Sequence, residues 1–253
     1  MITVSAAIVV YNEDVNILHR VLECFEGIEL SKELIVVDNS LDDRLKEVTE
    51  KYLTVSYIHS GENLGFGAGH NLAFANRQSA SDLHLVINPD TFFDPDQMTR
   101  MLQWQAEHSE IALSVPKILN LDGTEQYACR KIPTVLTLIF RRLNVAGIFN
   151  SYVIEDELGH KQRNEVYDVP FCHGCFIIFR SEVFSALNGF DEQFFLYMED
   201  VDIFIRAKQF GQTVQNPKFE IFHEFRKGSA KSLKLLWHHL HSAWKFFRKY
   251  PRL

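Results

Sequence analysis

No uncharged run in these 253 residues approaches the roughly 18–20 apolar positions that a membrane-spanning helix needs, so an integral membrane protein is not expected. The start of the chain also lacks the marks of a secretion signal. Met1 leads directly into the apolar run 2–10, with no basic segment and no small-residue cleavage site, which argues for the cytoplasm and for four reduced cysteines. Internal repeats, low-complexity segments and Gly/Ser linkers are missing too, and the chain reads as one continuous series of elements. What is present, 46% hydrophobic and 13% aromatic residues, excludes wholesale disorder and can fill the core of one large domain, or of one domain with an appendage.

Acid is lacking from residues 225–253, which hold eight of the 26 basic residues and none of the 33 acidic ones. The rest then carries 18 basic against 33 acidic residues, a net charge of −15, so an acidic body bears a cationic tail suited to phosphate or an anionic membrane surface. Nucleic acid is not an expected partner, because the basic cluster is confined to that tail and no recognition module accompanies it.

Along the first half, apolar runs at 3–10, 34–38, 55–59, 83–87 and 111–115 alternate with helical periodicity, as at 16–25 where Ile17, Leu18, Val21, Leu22 and Phe25 share a face. This βα alternation predicts an α/β fold, a mostly parallel twisted sheet flanked by helices, with ligands beyond the carboxyl ends of the strands. The polar residues fall there: Tyr11-Asn12 after the first run, Asp38-Asn39-Ser40 after the second, Asn88-Pro89-Asp90 after the fourth. Any one of these can be a cap or turn; three together indicate a site. After the third run comes Asn63-Leu64-Gly65-Phe66-Gly67-Ala68-Gly69-His70-Asn71. Its alternate glycines would let backbone approach a ligand, and the helix that follows would offer amides to phosphate. The spacing G-x-G-x-G and its place after the third strand depart from the nicotinamide-dinucleotide fingerprint.

These segments, with Gly189-Phe190-Asp191 and Tyr197-Met198-Glu199-Asp200-Val201-Asp202, resemble the family-2 glycosyltransferases of GT-A fold. More narrowly, they resemble bacterial rhamnosyltransferases of cell-surface polysaccharide assembly. The resemblance spans about residues 3–229 and implies a nucleotide-sugar donor, a divalent metal (Mg²⁺ or Mn²⁺) and inverting chemistry. By position it implies that Asp38 binds the nucleoside, that Val10, Tyr11 and Asn12 line the base pocket, and that Asn63, Gly65, Gly67, Asn71 and Asn88 border the donor. Asn88-Pro89-Asp90 stands where the family usually carries Asp-x-Asp, so Asp90 becomes the metal ligand, and His223 stands where some members place another. A hard cation needs few protein ligands when phosphates and water complete its shell.

On the acceptor side, strands are expected around His173-Gly174, a helix from Ser181, and then Phe195 and Tyr197 beside three acids in four positions. Those acids can simply complement a helix amino-terminus, with Asp202 paired to Arg206. By resemblance Asp200 is the general base, assisted by Glu199, and His173, Gly174, Phe195 and Tyr197 contact the acceptor. Arg226, Lys227, Gly228 and Ser229 would close over the diphosphate or begin the tail. The single C-x-x-C at Cys172 and Cys175 has no second pair, and alternate strand faces would separate the two sulfurs, so neither zinc nor redox function is expected.

The tail from 229 predicts an amphipathic basic helix. Leu233, Leu236, Trp237, Leu240, Trp244 and Phe247 form its apolar stripe, beside Lys234, His238, His241, Lys245 and Arg248. Core, dimer interface or membrane surface can use such a stripe; the cations favour peripheral attachment to the inner face of the plasma membrane. Residues 133–150 are a second interfacial candidate.

The expected organisation is therefore a GT-A-like domain at 1–228, with a donor half at 1–115 and an acceptor half at 116–228, followed by the helix at 229–253. The expected reaction moves a sugar, L-rhamnose from a deoxythymidine diphosphate donor first, onto a polyprenyl-diphosphate-linked saccharide. Uridine diphosphate donors of galactofuranose, glucose or N-acetylated sugars are the alternative. A sugar-phosphate nucleotidyltransferase would want a glycine-rich basic loop where Tyr11-Asn12-Glu13-Asp14 stands, and a non-catalytic saccharide-binding protein would not need Asp90 and Asp200 together.

Overall fold

The structure, a computed structural model, describes residues 1–143, 147–160, 163–224 and 233–252. The basic loop expected at Arg226 to Ser229 lies outside the described residues.

Burial on both faces makes the first runs strands. β1 (Thr3–Val10) is buried almost throughout and pairs in parallel with β2 (Ser31–Asp38), whose outer neighbour is β3 (Val55–His59). Their crossovers are α1 (Val15–Glu26), α2 (Lys46–Thr49) and α3 (Phe66–Ala75). Asp14 caps α1 by accepting from the Asn16 N–H, and Leu18, Val21, Leu22 and Phe25 turn inward at the predicted spacing. β4 (Leu83–Ile87) lies on the other side of β1, followed by the short β5 (Thr91–Phe92), α4 (Pro95–Glu107) and β6 (Ile111–Leu119). The second half adds β7 (Cys129–Arg130), α5 (Val135–Leu143), α6 (Asn150–Asp156), β8 (Tyr167–Asp168), β9 (Phe171–Cys172), β10 (Phe176–Arg180), α7 (Ser181–Ala186), α8 (Glu199–Ala207), β11 (Gln212–His223) and α9 (Leu233–Lys249).

The main sheet runs β3-β2-β1-β4-β10-β6-β11-β5, with β8 on β11. β3, β2, β1, β4, β6 and β11 share one direction, whereas β10, β5 and β8 run against it. Two of these reversals build the site. β10, inserted antiparallel between β4 and β6, begins where β4 ends, which delivers the 173–175 turn to the carboxyl ends of the parallel strands and lets the Asn88 N–H bond the Cys175 carbonyl at 2.8 Å. β5 pairs with the end of β11 and sets Thr91 opposite His223, so the residue before β5, Asp90, meets that histidine.

One sequence expectation changes. Cys172 and Cys175 do not share one continuous strand: Cys172 ends β9, Cys175 precedes β10, and both are buried. Cys172 stands in register with Cys129 across the small β7–β9 sheet. Of the three uses open to the apolar stripe of the tail helix, packing into the core is largely not the one taken. The acidic body offers Asp191, Asp202 and the Gln193 and Leu196 carbonyls where α9 docks, so small and cationic residues turn inward. Ser242 Oγ donates to Leu196 O at 2.8 Å, Lys245 Nζ to Gln193 O at 2.6 Å and Lys249 Nζ to Asp191 at 2.6 Å, around buried Ala243 and Phe246. The predicted apolar stripe therefore faces largely outward: Leu233, Trp237, Leu240 and Trp244 are 86%, 59%, 62% and 54% exposed.

Candidate functional site

Asp90 and His223 meet through strand register. The backbone holds them, with the Glu224 N–H donating to the Asp90 carbonyl at 3.0 Å, and His223 Nε2 stands 3.4 Å from Asp90 Oδ1. That oxygen is buried and receives no hydrogen bond among the described residues. The other ring nitrogen of His223, Nδ1, lies 3.0 Å from Gln126 Oε1. Gln126 reaches the site from the hairpin that follows β6, where Asp122-Gly123 turns the chain back. Among the described residues no cluster of three or more His, Cys, Asp or Glu is arranged to hold a metal, and Asp90 and His223 form a pair.

Glu199 and Asp200 open α8. Two consecutive left-handed residues, Tyr197 at φ 70° and Met198 at φ 69°, bend the chain into that helix, a costly conformation for side-chain-bearing residues. Asp200 Oδ1 accepts the Val201 N–H at 2.8 Å, and the nearby Gly174 backbone also favours the ionised carboxylate. A Cβ on Gly174 would sit 3.4 Å from the Asp200 Cβ and 3.5 Å from the Phe66 ring. Burial pushes both carboxyls up, Glu199 to about 8 with the neighbouring Asp200 charge adding to the effect, and Asp200 to about 6 despite its backbone donors. Glu199 is buried, and its Oε2 has no hydrogen-bond partner among the described residues.

The two halves of the site converge on the 173–175 turn. The buried Cys175 thiol is raised chiefly by burial, and further by the charges of both Asp90 and Asp200. His173 is held well below its usual range by burial first, then by the cations Arg130 and Arg141 and by His223. Arg130 was not legible as a site residue. It is paired with Glu157 at 3.0 Å, and its charge reaches Asp200. Phe195 stacks on His238 of α9 at 4.7 Å, and Tyr197 packs 5.0 Å from His239, so the tail helix backs the aromatic segment beside Glu199.

On the donor side Asp38 is buried at the end of β2, accepting from the Ser40 N–H at 2.9 Å and from Tyr57 Oη at 2.7 Å; burial, then the Asp38 bond, raises the Tyr57 phenol. Val10 is buried, Tyr11 is exposed, and Asn12, at φ 52°, donates its N–H to Ser40 Oγ, which joins the first two loops. Asn63 Oδ1 accepts from the Gly65 N–H.

Close packing of protein also requires the glycine run. A Cβ on Gly65, which sits at φ 89°, would collide with the Phe195 carbonyl oxygen; one on Gly67 would meet Phe190 at 2.8 Å, and one on Gly69 would meet Val9 at 2.8 Å. The first amide of α3, Phe66 N–H, is given to Phe195 O at 3.1 Å. These glycines therefore admit protein neighbours on their Cβ side. Gly67 and Asn71 belong to the same seam, because the Asn71 amide bonds the Phe190 backbone at both N and O.

Comparison with known proteins identifies the family and the fold. Residues 5–187 match the model of Glycosyl transferase family 2, and residues 159–228 match one described as the N-terminal domain of galactosyltransferase. Rhamnosyltransferase WbbL of Escherichia coli (strain K12) is 26% identical over 217 residues, 81% of this chain and 78% of that protein. The N-acetylglucosaminyl-diphospho-decaprenol L-rhamnosyltransferase of Mycobacterium tuberculosis (strain CDC 1551 / Oshkosh) is 24% identical over 75% of this chain and 66% of its own length. Among solved structures, the mannosyltransferase PcManGT of Pyrobaculum calidifontis with GDP-Man and Mn²⁺ superposes at TM-score 0.64 and 16% identity, covering 97% of this chain and 64% of that one. GalNAc-T7 with UDP, GalNAc and Mn²⁺ gives 0.63 at 17% identity, with 89% and 44% covered. The chain thus spans under two thirds of either solved chain. With the family model matched over most of its length and GT-A neighbours on its sheet, the chain belongs to glycosyl transferase family 2.

Proposed function

We propose that this enzyme is an inverting, metal-dependent transferase. It would move L-rhamnose from a deoxythymidine diphosphate donor onto a polyprenyl-diphosphate-linked saccharide of a cell-surface polysaccharide. A uridine diphosphate donor is the alternative. The sugar and acceptor rest on the names of the relatives; the reaction type rests on Asp90 and Asp200, whose charges both reach the buried Cys175 thiol.

Asp90 and His223 would hold the cation. The residues fit: a buried carboxylate oxygen that receives no hydrogen bond among the described residues faces an imidazole nitrogen, a donor set suited to Mn²⁺ or Mg²⁺. A bound divalent cation offsets charge on the departing diphosphate. Asp200, ionised and steadied by the Val201 amide and the Gly174 backbone, takes the proton of the acceptor hydroxyl. The hydroxyl oxygen bonds the anomeric carbon from the face opposite the diphosphate, and the carbon–oxygen bond to the diphosphate breaks. Glu199, kept protonated by burial, orients the acceptor without competing as a base. His173, Gly174, Phe195 and Tyr197 would border the acceptor, and Val10, Tyr11, Asn12, Asp38, Asn63 and Asn88 the nucleotide. A panel of nucleotide sugars assayed with and without Mn²⁺ tests this reading, which predicts Mn²⁺-dependent transfer or donor hydrolysis with deoxythymidine diphosphate rhamnose. Inertness toward the whole panel refutes it. Asp90→Ala is expected to abolish the Mn²⁺ dependence of nucleoside diphosphate binding in a calorimetric titration; retained dependence would remove Asp90 from the cation site.

The outward face of α9 would attach the enzyme to an anionic membrane surface at the cytoplasmic side. Among the described residues no helix is long and apolar enough to cross a membrane. Trp237 and Trp244 flank His241 in a stacked ladder, with Arg248 over Trp244 at 4.7 Å, an arrangement suited to a bilayer interface. Changing both tryptophans to serine should reduce sedimentation with phosphatidylglycerol vesicles severalfold without lowering the melting temperature, since neither ring packs into the body. Equal sedimentation of the two proteins would end this assignment.

A further inference from the structure

The partner of His223 on its far side is a single carboxamide that touches the residue twice. Gln126 Nε2 donates to the His223 carbonyl at 2.6 Å and, at a longer 3.4 Å, to the Leu119 carbonyl. Both partners can only accept, so the amide nitrogen must point at them, and its oxygen then faces His223 Nδ1 at 3.0 Å. An amide oxygen cannot donate. Nδ1 must therefore carry the ring proton, which in the neutral imidazole leaves the lone pair on Nε2, the nitrogen directed at Asp90.

We infer that Gln126 is a positioning residue for the cation site: it fixes both the rotation and the tautomer of His223, so that Nε2 is offered as a ligand. This deepens the reading of Asp90 and His223 as cation ligands and rests on it. The Gln126 backbone is itself anchored, its N–H bonding Ile118 O at 2.9 Å, while Asn120, Asp122 and Thr124 tie the turn before it. The clamp is thus part of the β6 hairpin and is carried to β11 by strand pairing between Leu119 and Phe222. An outer amide that sets the proton of a ligating imidazole is worth about 10–100-fold in metal affinity.

The test uses the full chain and Mn²⁺ alone as the probe, with free Mn²⁺ followed by electron paramagnetic resonance. Gln126→Leu keeps the bulk and removes both contacts; it is expected to weaken Mn²⁺ binding about 10–100-fold. Gln126→Glu, which still accepts from Nδ1–H, is expected to recover most of that loss. A nitrogen NMR spectrum of the metal-free wild-type protein, at a pH where His223 is neutral, should show the Nδ1–H tautomer. This measurement requires no variant and decides the matter if Gln126→Leu fails to fold. An Nε2–H tautomer in the wild type, or Mn²⁺ affinity within twofold in Gln126→Leu, overturns the role of Gln126. His223→Ala separates the two claims: unchanged Mn²⁺ affinity in that variant removes the cation site itself, whereas a large loss there with no loss in Gln126→Leu removes only the clamp.

Discussion

Asp200→Asn is expected to fold normally and to lower kcat by about 10²–10⁴-fold, with little change in KM for the donor, because it removes the proton acceptor and leaves the nucleotide side intact. In the wild type, kcat/KM should rise with pH through about 6, as burial sets the pKa of Asp200, and the rise should be missing from the residual activity of the variant. Glu199 shares this titration, so the profile belongs to the pair, with Arg130 and the Cys172 and Cys175 thiols as its charged or ionisable neighbours. Stability supplies an independent check. Both carboxyls are raised on folding, so between about pH 4 and 8 the folded chain keeps protons that the unfolded chain has released. The contribution of this pair to stability therefore falls as pH rises across that window. In Asp200→Asn the part due to Asp200 disappears. A variant that turns over at the wild-type rate would remove Asp200 from the chemistry and favour a silent saccharide-binding protein.

Asp202→Ala is expected to lower the melting temperature by roughly 10 °C. The Asp202 side chain is fully buried and answers three donors: Arg206 Nε at 2.7 Å, Lys249 Nζ at 2.5 Å and Tyr250 Oη at 2.7 Å. Removing one partner from such a network costs about 3–5 kcal/mol, and a domain of this size shifts by about 2–4 °C per kcal/mol. Lys249→Met should cost less, because that ammonium is partly exposed and Asp202 keeps Arg206. Since Asp202 lies two residues beyond Asp200 on α8, and α9 also backs Phe195 and Tyr197, both variants should lower kcat more than they weaken donor binding. Thermal melts and steady-state kinetics together check this. Unchanged melting in Lys249→Met and in Tyr250→Phe would mean that α9 merely lies against the body.

How much of this was readable beforehand depends on what each signal measures. Strands β1, β3 and β4 were readable to the residue because each is an apolar run bounded by polar turns, although only β1 and β4 are buried on both faces, β3 being the half-buried edge. Run length and apolarity carry no direction, so the antiparallel seat of β10 between β4 and β6 was not readable, although it delivers His173 and Gly174 to the cleft. The acids of 199–202 stood out by density, and the four-residue spacing already set Asp202 against Arg206; its further partners Lys249 and Tyr250 were not readable. Gln126 left no trace in the sequence beyond the Asp122-Gly123 turn before it, since a lone amide acquires meaning only from the imidazole it faces. The stripe of α9 was correctly periodic, but periodicity identifies a face without saying which side docks; the charge on the surface beneath decides that. The glycines were noticed for their rarity, while the close protein neighbours that require them were not readable.

The position of β10 bears on how enzymes of this kind can be recombined. Strand 10 comes from the later half of the polypeptide yet closes the sheet between two strands of the earlier half, so a chimera joined near residue 115 would inherit a gap in its centre together with a foreign strand to fill it. Engineering of donor choice is better confined to individual loops, with the sheet kept from a single parent.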